Sequence, residues 1–187
     1  NQVAHKVVPS IASNNRLVLK PSEKVPLSAL WLADLLYEAG LPPAMFQVLT
    51  GDPAEIAETL ITHPSVELVT FTGGVEIGKR IARLAGYRRT VLELGGNDPL
   101  IVCEDLGPGA ELERAALLAA QGSYRNSGQR CTAVKRILVQ RSVAERFTEL
   151  LVAATEAWRY GDPLDERHAM GTVIDEAAAR LLQRRVD

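Results

Sequence analysis

The stretch SGQRCTA, which begins at Ser127, places a cysteine among small and polar residues instead of in an apolar run. A cysteine attacks as its thiolate, which nearby cations and backbone donors stabilise. Arg130 supplies a cation directly before Cys131, and the small neighbours Gly128 and Thr132 leave room for a substrate. Cys131 is therefore a candidate nucleophile. The alternative is a structural cysteine beside a surface arginine.

The second cysteine, Cys103, ends the apolar run PLIVC, which predicts packing in the core. Two cysteines in 187 residues do not predict a disulfide framework. They favour a reducing compartment, and we expect a cytoplasmic protein. The three histidines have no paired spacing with cysteine, so no metal site is predicted.

Glu93 lies near the end of the apolar stretch VLEL, which is followed by two glycines. A carboxylate buried there would be costly without a partner or a role, and burial would strengthen it as a base. Glu93 is therefore a candidate general base. The alternative is a carboxylate exposed at the end of a strand.

Two further stretches suit a nucleotide. Lys20 and Glu23, in LKPSE, follow a strand pattern and would lie at the carboxyl edge of a parallel sheet, where a ribose binds. Gly73 and Gly74, in FTGG, would let a ligand approach the start of the next helix. The alternative for Lys20 and Glu23 is a pair of solvated charges in a loop, and the alternative for FTGG is an ordinary strand-to-helix turn. The standard dinucleotide-binding motif G-x-G-x-x-G is absent from the sequence.

The elements that must position these residues alternate between strand and helix. Strand patterns occupy residues 16–20, 45–50, 66–71, 89–94, 99–103 and 133–139. Helix patterns occupy residues 26–40, 52–62, 75–86, 109–123, 142–159 and 175–186, after a first helix near the N-terminus. This alternation predicts an α/β fold with a parallel sheet. Asp52 and Pro53 are the predicted N-cap and first residue of the helix over 52–62.

Charge and hydropathy argue against two classes of partner, nucleic acids and membranes. The net charge is −2, with no dominant basic patch, so nucleic acid is not expected. The apolar runs are too short to cross a bilayer, so no membrane partner is expected.

Taken in order, the motifs Lys-Pro-Ser-Glu, Phe-Thr-Gly-Gly, Glu-Leu-Gly-Gly and Gly-Gln-Arg-Cys-Thr resemble those of the aldehyde dehydrogenase superfamily. The resemblance implies a partial Rossmann-like NAD-binding domain over residues 1–94 and a partial catalytic thiol domain over 95–187. It implies that Cys131 attacks an aldehyde and forms a thiohemiacetal and then a thioester. The N–H of Cys131 would line the oxyanion hole, and Glu93 would activate the water that releases the acid.

The same resemblance implies a cofactor site. Lys20 and Glu23 would hold the adenosine ribose, Gly73 and Gly74 would lie beside the pyrophosphate, and Leu94 is a further candidate cofactor contact. The carboxylate of Glu23 would repel the 2′-phosphate of NADP, so NAD is the favoured cofactor. NADP is the second candidate, because Lys20 could reach a phosphate.

Arg130 bears on the substrate, since a guanidinium there could clamp an anionic head group of a short aldehyde. The stretches GGNDPLIV and YRNSGQRCTAVKR resemble phosphonoacetaldehyde dehydrogenases. Non-phosphorylating glyceraldehyde-3-phosphate dehydrogenases are the runner-up, although they usually carry a small hydroxyl residue at the position of Glu23 and prefer NADP. Arg130 could instead stabilise only the thiolate or contact another part of the protein. An inactive relic of the fold is the remaining alternative.

In the family, an upstream Asn supplies a second oxyanion donor and a downstream Glu-x-Phe-Gly-Pro segment holds the nicotinamide ribose. No residue here matches either, so we expect a piece of a longer protein that is poorly active alone. The complete protein is expected to form a homodimer or tetramer. Residues 103–114 exceed the family's usual link and are predicted to be a surface-loop insertion.

Overall fold

The computed structural model describes residues 2–187 as an α/β chain in which parallel strands alternate with helices. The elements are α1 (Ala4–Ala12), β1 (Leu17–Leu19), α2 (Leu27–Glu38), β2 (Phe46–Val48), α3 (Pro53–Thr62), β3 (Leu68–Thr72), α4 (Val75–Ala85), β4 (Arg89–Glu93), β5 (Asp98–Val102), α5 (Ala110–Tyr124), β6 (Val134–Val139), α6 (Arg141–Glu156) and α7 (Glu176–Val186). Two short 3₁₀ helices, Glu104–Leu106 and Arg125–Gly128, flank α5.

The element order predicted from the sequence is confirmed, with ends that shift by a few residues. The start of α3 shows why the local signals suffice. The Asp52 side chain accepts a hydrogen bond from the Ala54 N–H at 2.8 Å, and Pro53 opens the helix. The first amides of a helix have no partner within it, so an acceptor here fixes where the helix begins.

The chain divides into two compact units, Asn1–Leu94 and Gly95–Asp187. The first unit holds two parallel pairs, β1 with β2 and β3 with β4. The sequence predicts a parallel sheet. Within the described residues of this unit the strands instead form two separate two-stranded sheets, because no ladder of hydrogen bonds joins one pair to the other. The cofactor-binding and catalytic labels given to the two units remain predictions.

Apolar burial explains how each pair is held in the first unit. Against β1–β2, the buried side chains of Val7, Ala33 and Phe46 bring α1 and α2 onto the sheet. Against β3–β4, α3 and α4 contribute Ile61 and Ile81. Each sheet edge that carries a candidate site residue is therefore supported by its own small core.

The second unit is built on the parallel pair β5–β6, covered by α5 and α6. Its core includes Leu112 and Phe147, which are 0% and 1% exposed. The sequence predicts that residues 103–114 are a surface loop, and the structure corrects this prediction, because the last part of the segment belongs to α5. The loop ends at Gly109, the N-cap of α5, and Leu112 packs inward from the first turn of that helix.

Cys103 is exposed, so its predicted packing in the core is wrong. The reason is the alternation of side chains along a strand. Val102, the last residue of β5, points inward and is 1% exposed. The following side chain therefore faces outward, where Cys103 precedes the 3₁₀ helix.

No helix within residues 2–187 combines the length and apolar character needed to span a bilayer. Over the same residues, no group of three or more His, Cys, Asp and Glu side chains is arranged to hold a metal ion.

Candidate functional site

The Cys131 loop, residues 129–133, follows a turn with an uncommon backbone. Helix α5 ends at Tyr124, and the next residues include Asn126 and Ser127, which have φ angles of 57° and 53°. Left-handed values are unfavourable for residues with a Cβ, although Asn tolerates them best. The Ser127 hydroxyl donates to the carbonyl of Gly171 at 2.9 Å, which holds the turn in place.

The amides of the Cys131 loop divide into bonded and free groups. The N–H of Arg130 donates to the Gly128 carbonyl at 2.9 Å, and the N–H of Ala133 donates to the Arg130 carbonyl at 3.2 Å. Between them, the N–H groups of Cys131 and Thr132 have no acceptor in the part of the chain that the structure describes. The Cys131 side chain is exposed and forms no disulfide. A free thiol and two free backbone donors therefore lie together.

Parallel pairing brings the start of β5 next to this loop. Asp98 of β5 is in register with Val134 of β6, so the residues that precede each strand are neighbours. A methyl group built onto Gly96 would overlap the carbonyl oxygen of Cys131. In the sequence Gly96 is one of the two glycines that follow the stretch VLEL, whereas the structure shows that it leaves room for the Cys131 backbone.

Arg130 is anchored by its own unit. Its Nη2 donates to the carbonyl of Gly122, near the end of α5, at 2.9 Å. Its Nε is buried and has no hydrogen-bond partner among the described residues. This contact matches the alternative in which Arg130 binds another part of the protein, and it leaves part of the guanidinium without an acceptor.

Glu93 ends β4, where its backbone carbonyl accepts a hydrogen bond from the Gly73 N–H at 3.0 Å. Its side chain is exposed, with no hydrogen-bond or ion-pair partner in the described part of the chain. The structure therefore matches the exposed alternative.

Lys20 and Glu23 form a pair just beyond β1. The Nζ of Lys20 donates to the Pro21 carbonyl at 2.6 Å and lies 3.4 Å from Oε2 of Glu23. The pKa of Glu23 is lowered, first by a hydrogen bond from its own backbone amide and then by the Lys20 ammonium and the charge of Lys24. Glu23 is therefore ionised at neutral pH and offers only hydrogen-bond acceptors.

Gly73, Gly74 and Leu94 surround the start of α4. Gly74 is the N-cap of α4, and a methyl group built there would meet nothing within 4 Å. Gly74 has no side chain to cap the first amides of the helix, so these donors are available to an anion. Leu94 packs closely against Gly78, and a methyl group built onto Gly78 would overlap the Leu94 side chain.

The structure thus groups the candidate residues by unit. The first unit carries the pair Lys20–Glu23 at the end of β1 and the set Gly73, Gly74 and Leu94 around the start of α4. The second carries Arg130 and Cys131 at the start of β6. The sequence did not indicate Lys135, whose ammonium contacts the Cys131 loop. A cation four residues after the candidate nucleophile was the only available signal.

Comparison with known proteins identifies the family to which the chain is similar, and it does not bear on single residues. The model described as "Aldehyde dehydrogenase family" matches residues 1–187. The 3-sulfolactaldehyde dehydrogenase of Priestia aryabhattai is 45% identical over 174 residues, which are 93% of this chain and 36% of that protein. Betaine aldehyde dehydrogenase 2 of Rhizobium meliloti is 40% identical over 93% of this chain and 36% of its own length.

Solved structures give the same result. An NAD-dependent aldehyde dehydrogenase from Sinorhizobium meliloti matches with a TM-score of 0.93 and 37% identity, over 99% of this chain and 36% of that one. A mutant of aldehyde dehydrogenase C from Pseudomonas syringae, in complex with NAD+ and octanal, matches with a TM-score of 0.90 and 33% identity. The match covers 98% of this chain and 37% of that one. The chain thus spans little more than a third of the length of these relatives.

The close contact between Gly96 and the Cys131 loop predicts that a methyl group added at Gly96 destabilises the fold. Gly96→Ala should lower the free energy of unfolding by about 1–3 kcal/mol, because the backbone of the loop must move to accept it. Urea denaturation measures this loss. Gly109→Ala is the control, since its methyl meets no atom within 4 Å, and it should cost less than half as much. Equal losses would contradict the close packing at Gly96.

Proposed function

The chain belongs to the aldehyde dehydrogenase family, and from this we propose that it carries the nucleophile, the base and several cofactor contacts of an NAD(P)-dependent aldehyde oxidation. The observation that carries the proposal is the exposed Cys131 thiol beside its own free N–H, at the start of β6. Such a pair can form a bond to a carbonyl carbon and stabilise the oxygen that becomes negative. Catalysis by the whole protein is part of the proposal.

In the proposed reaction the Cys131 thiolate forms a C–S bond with the aldehyde carbon, and the C=O electron pair moves onto oxygen. The Cys131 N–H donates a hydrogen bond to that oxygen. The oxidised nicotinamide, when bound, supplies the acceptor for the hydride of this carbon, which leaves a thioester on Cys131. Glu93 then takes a proton from water as the water attacks the thioester. The C–S bond breaks, which yields the carboxylate and the thiol.

The residues present fit the proposed cofactor. The unpaired amides at the start of α4, uncapped at Gly74, suit a pyrophosphate. The ionised Glu23 can accept hydrogen bonds from both hydroxyls of a ribose, with Lys20 beside it. Because a carboxylate at this place repels a 2′-phosphate, NAD is the preferred cofactor and NADP the secondary one.

For the substrate we favour a short anionic aldehyde, with phosphonoacetaldehyde as the first candidate. Arg130 supports this choice, because its cation directly precedes the nucleophile in the chain. The 45% identical relative is named for 3-sulfolactaldehyde, which also carries an anionic group on a short chain. The 40% identical relative is named for betaine aldehyde, which carries a cation. Glyceraldehyde-3-phosphate remains the runner-up.

We also propose a homodimer or tetramer for the complete protein, as the family resemblance implies. Both cysteines are free, which fits a reducing compartment such as the cytoplasm.

The first experiment measures NADH formation by the protein expressed from the complete reading frame that encodes this chain. Cys131→Ala should lower kcat by at least about 10⁴-fold, because it removes the nucleophile. Cys103→Ala is the matched control, since that thiol is also exposed and has no proposed role. A parent protein that oxidises no aldehyde would contradict the proposed function and favour the inactive relic.

The role of Glu93 is tested separately by Glu93→Gln. Steady-state turnover should fall by about 100-fold or more, because water attack on the thioester loses its base. The first turnover should still release about one NADH per active site, since hydride transfer precedes that step. Stopped-flow absorbance measures this burst. Equal loss of the burst and of the steady state would show that Glu93 acts earlier in the reaction.

Arg130→Gln separates clamping of an anionic group from anchoring of the loop. If Arg130 binds the anion, kcat/KM for phosphonoacetaldehyde should fall about 10- to 100-fold. The value for uncharged propanal should change less than about threefold. Arg125→Gln, an exposed arginine five residues earlier, is the control. A similar fall for both aldehydes would assign Arg130 to its contact with Gly122 instead.

Glu23→Ser tests the preference between cofactors. Removal of the carboxylate should raise the ratio of kcat/KM for NADP+ to kcat/KM for NAD+ by about 10-fold, as repulsion of the 2′-phosphate is lost. Glu58→Ser, another exposed carboxylate in the first unit, should leave the ratio unchanged. An unchanged ratio in Glu23→Ser would show that this carboxylate does not face the ribose.

A further inference from the structure

The ammonium of Lys135 is bound by three carbonyl groups of the Cys131 loop. Its Nζ donates to the carbonyl of Arg130 at 3.1 Å, to that of Cys131 at 3.2 Å and to that of Ala133 at 3.1 Å. A lysine ammonium has three N–H donors, so this loop can satisfy all of them. Lys135 takes part in no carboxylate ion pair within residues 2–187. Its contacts are with backbone on both sides of the nucleophile.

These bonds fix the direction of the two free amides. A peptide unit is planar and trans, so its C=O and its N–H point in opposite directions. The Arg130 carbonyl shares a peptide plane with the Cys131 N–H, and the Cys131 carbonyl shares one with the Thr132 N–H. When Lys135 binds both carbonyls, both N–H groups are turned away from the ammonium. They are the two amides of the loop without an acceptor in the described chain.

We propose that Lys135 is a positioning residue, which holds the Arg130 and Cys131 carbonyls and thereby aims the Cys131 N–H at the oxygen of the reacting aldehyde. The inference rests on the proposed function and adds the element that orients its oxyanion donor. Hydrogen-bond donors in such a site act through their fixed direction, so a small rotation of this peptide plane weakens them. Lys135 itself touches neither the substrate nor the cofactor in this scheme.

The test compares Lys135→Met with Lys135→Arg in the protein expressed from the complete reading frame. Methionine keeps the length of the side chain but donates no hydrogen bond, so kcat should fall by about 10- to 100-fold. KM for NAD+ should change by less than about threefold, because the cofactor contacts lie in the other unit. Arginine keeps several donors and should restore at least a third of the lost kcat.

Amide hydrogen–deuterium exchange of a peptide that covers residues 125–135 gives a readout independent of turnover. Exchange should become faster in Lys135→Met and return toward the parent rate in Lys135→Arg. Arg146→Met is the control, because it also replaces a cation by methionine in the second unit, on the exposed face of α6. It should alter neither the exchange of this peptide nor kcat.

The outcomes separate this inference from the proposed function. Unchanged exchange, or unchanged kcat with faster exchange, in Lys135→Met would overturn the positioning role even when the parent protein is fully active. A fall in kcat that arginine does not relieve would also overturn it, since the donors would then not matter. A parent protein without aldehyde oxidation would overturn the proposed function, and the catalytic part of this inference with it.

Discussion

The parallel pairing of β5 with β6 is the constraint on which the geometry of the second unit depends. Parallel strands begin at the same edge, so the segment that leads into β5 and the segment that leads into β6 lie side by side. Arg136 of β6 binds the segment that leads into β5, because its Nη2 donates to the Asn97 carbonyl at 3.0 Å. Burial of Leu112 and Phe147 holds the helices against this pair. The core thus holds the strand that follows the Cys131 loop.

The backbone before Cys131 shows how strain and anchoring are balanced. Two successive non-glycine residues in the left-handed region cost about 1 kcal/mol or more each, with Asn126 at the lower end. The side-chain hydrogen bond from Ser127 to Gly171 and that from Arg130 to Gly122 offset this cost. Strained backbone persists where surrounding contacts determine it, and such places often carry function. The Cys131 loop fits that description.

Much of the fold could be predicted from the sequence, because apolar periodicity and helix caps are local signals. Asp52 and Pro53 fixed the start of α3 in this way. Properties that depend on neighbours were less accessible. An apolar run does not reveal which of its residues face inward, so the sequence predicts a buried Cys103 whereas the structure shows an exposed one. Separate strand pairs could not be told from one sheet, since sequence patterns define strands but not their partners.

For the candidate site, too, residue types can be predicted from the sequence, whereas contacts with neighbouring residues cannot. Residue types and motifs predict Cys131 and Glu93 as candidates and leave open whether the Glu93 side chain is buried or exposed, and the structure shows that it is exposed. The sequence does not predict the contacts of Lys135, because its partners are backbone carbonyls and residue identities do not encode the directions of those groups. The overlap between a methyl group at Gly96 and the Cys131 loop cannot be predicted from the sequence for the same reason, since the atom that it would contact is a backbone carbonyl oxygen.

The turn at Asn126 and Ser127 also limits how this part of the chain could change over generations. Branched side chains such as valine, isoleucine or threonine fit poorly in the left-handed region, whatever their polarity. The following Gly128 has a φ of 69°, so three consecutive positions share the restriction. Variation here would therefore be confined to a few small or polar residues by the path of the main chain. A fixed sequence before the thiol could arise without any contact between these side chains and a substrate.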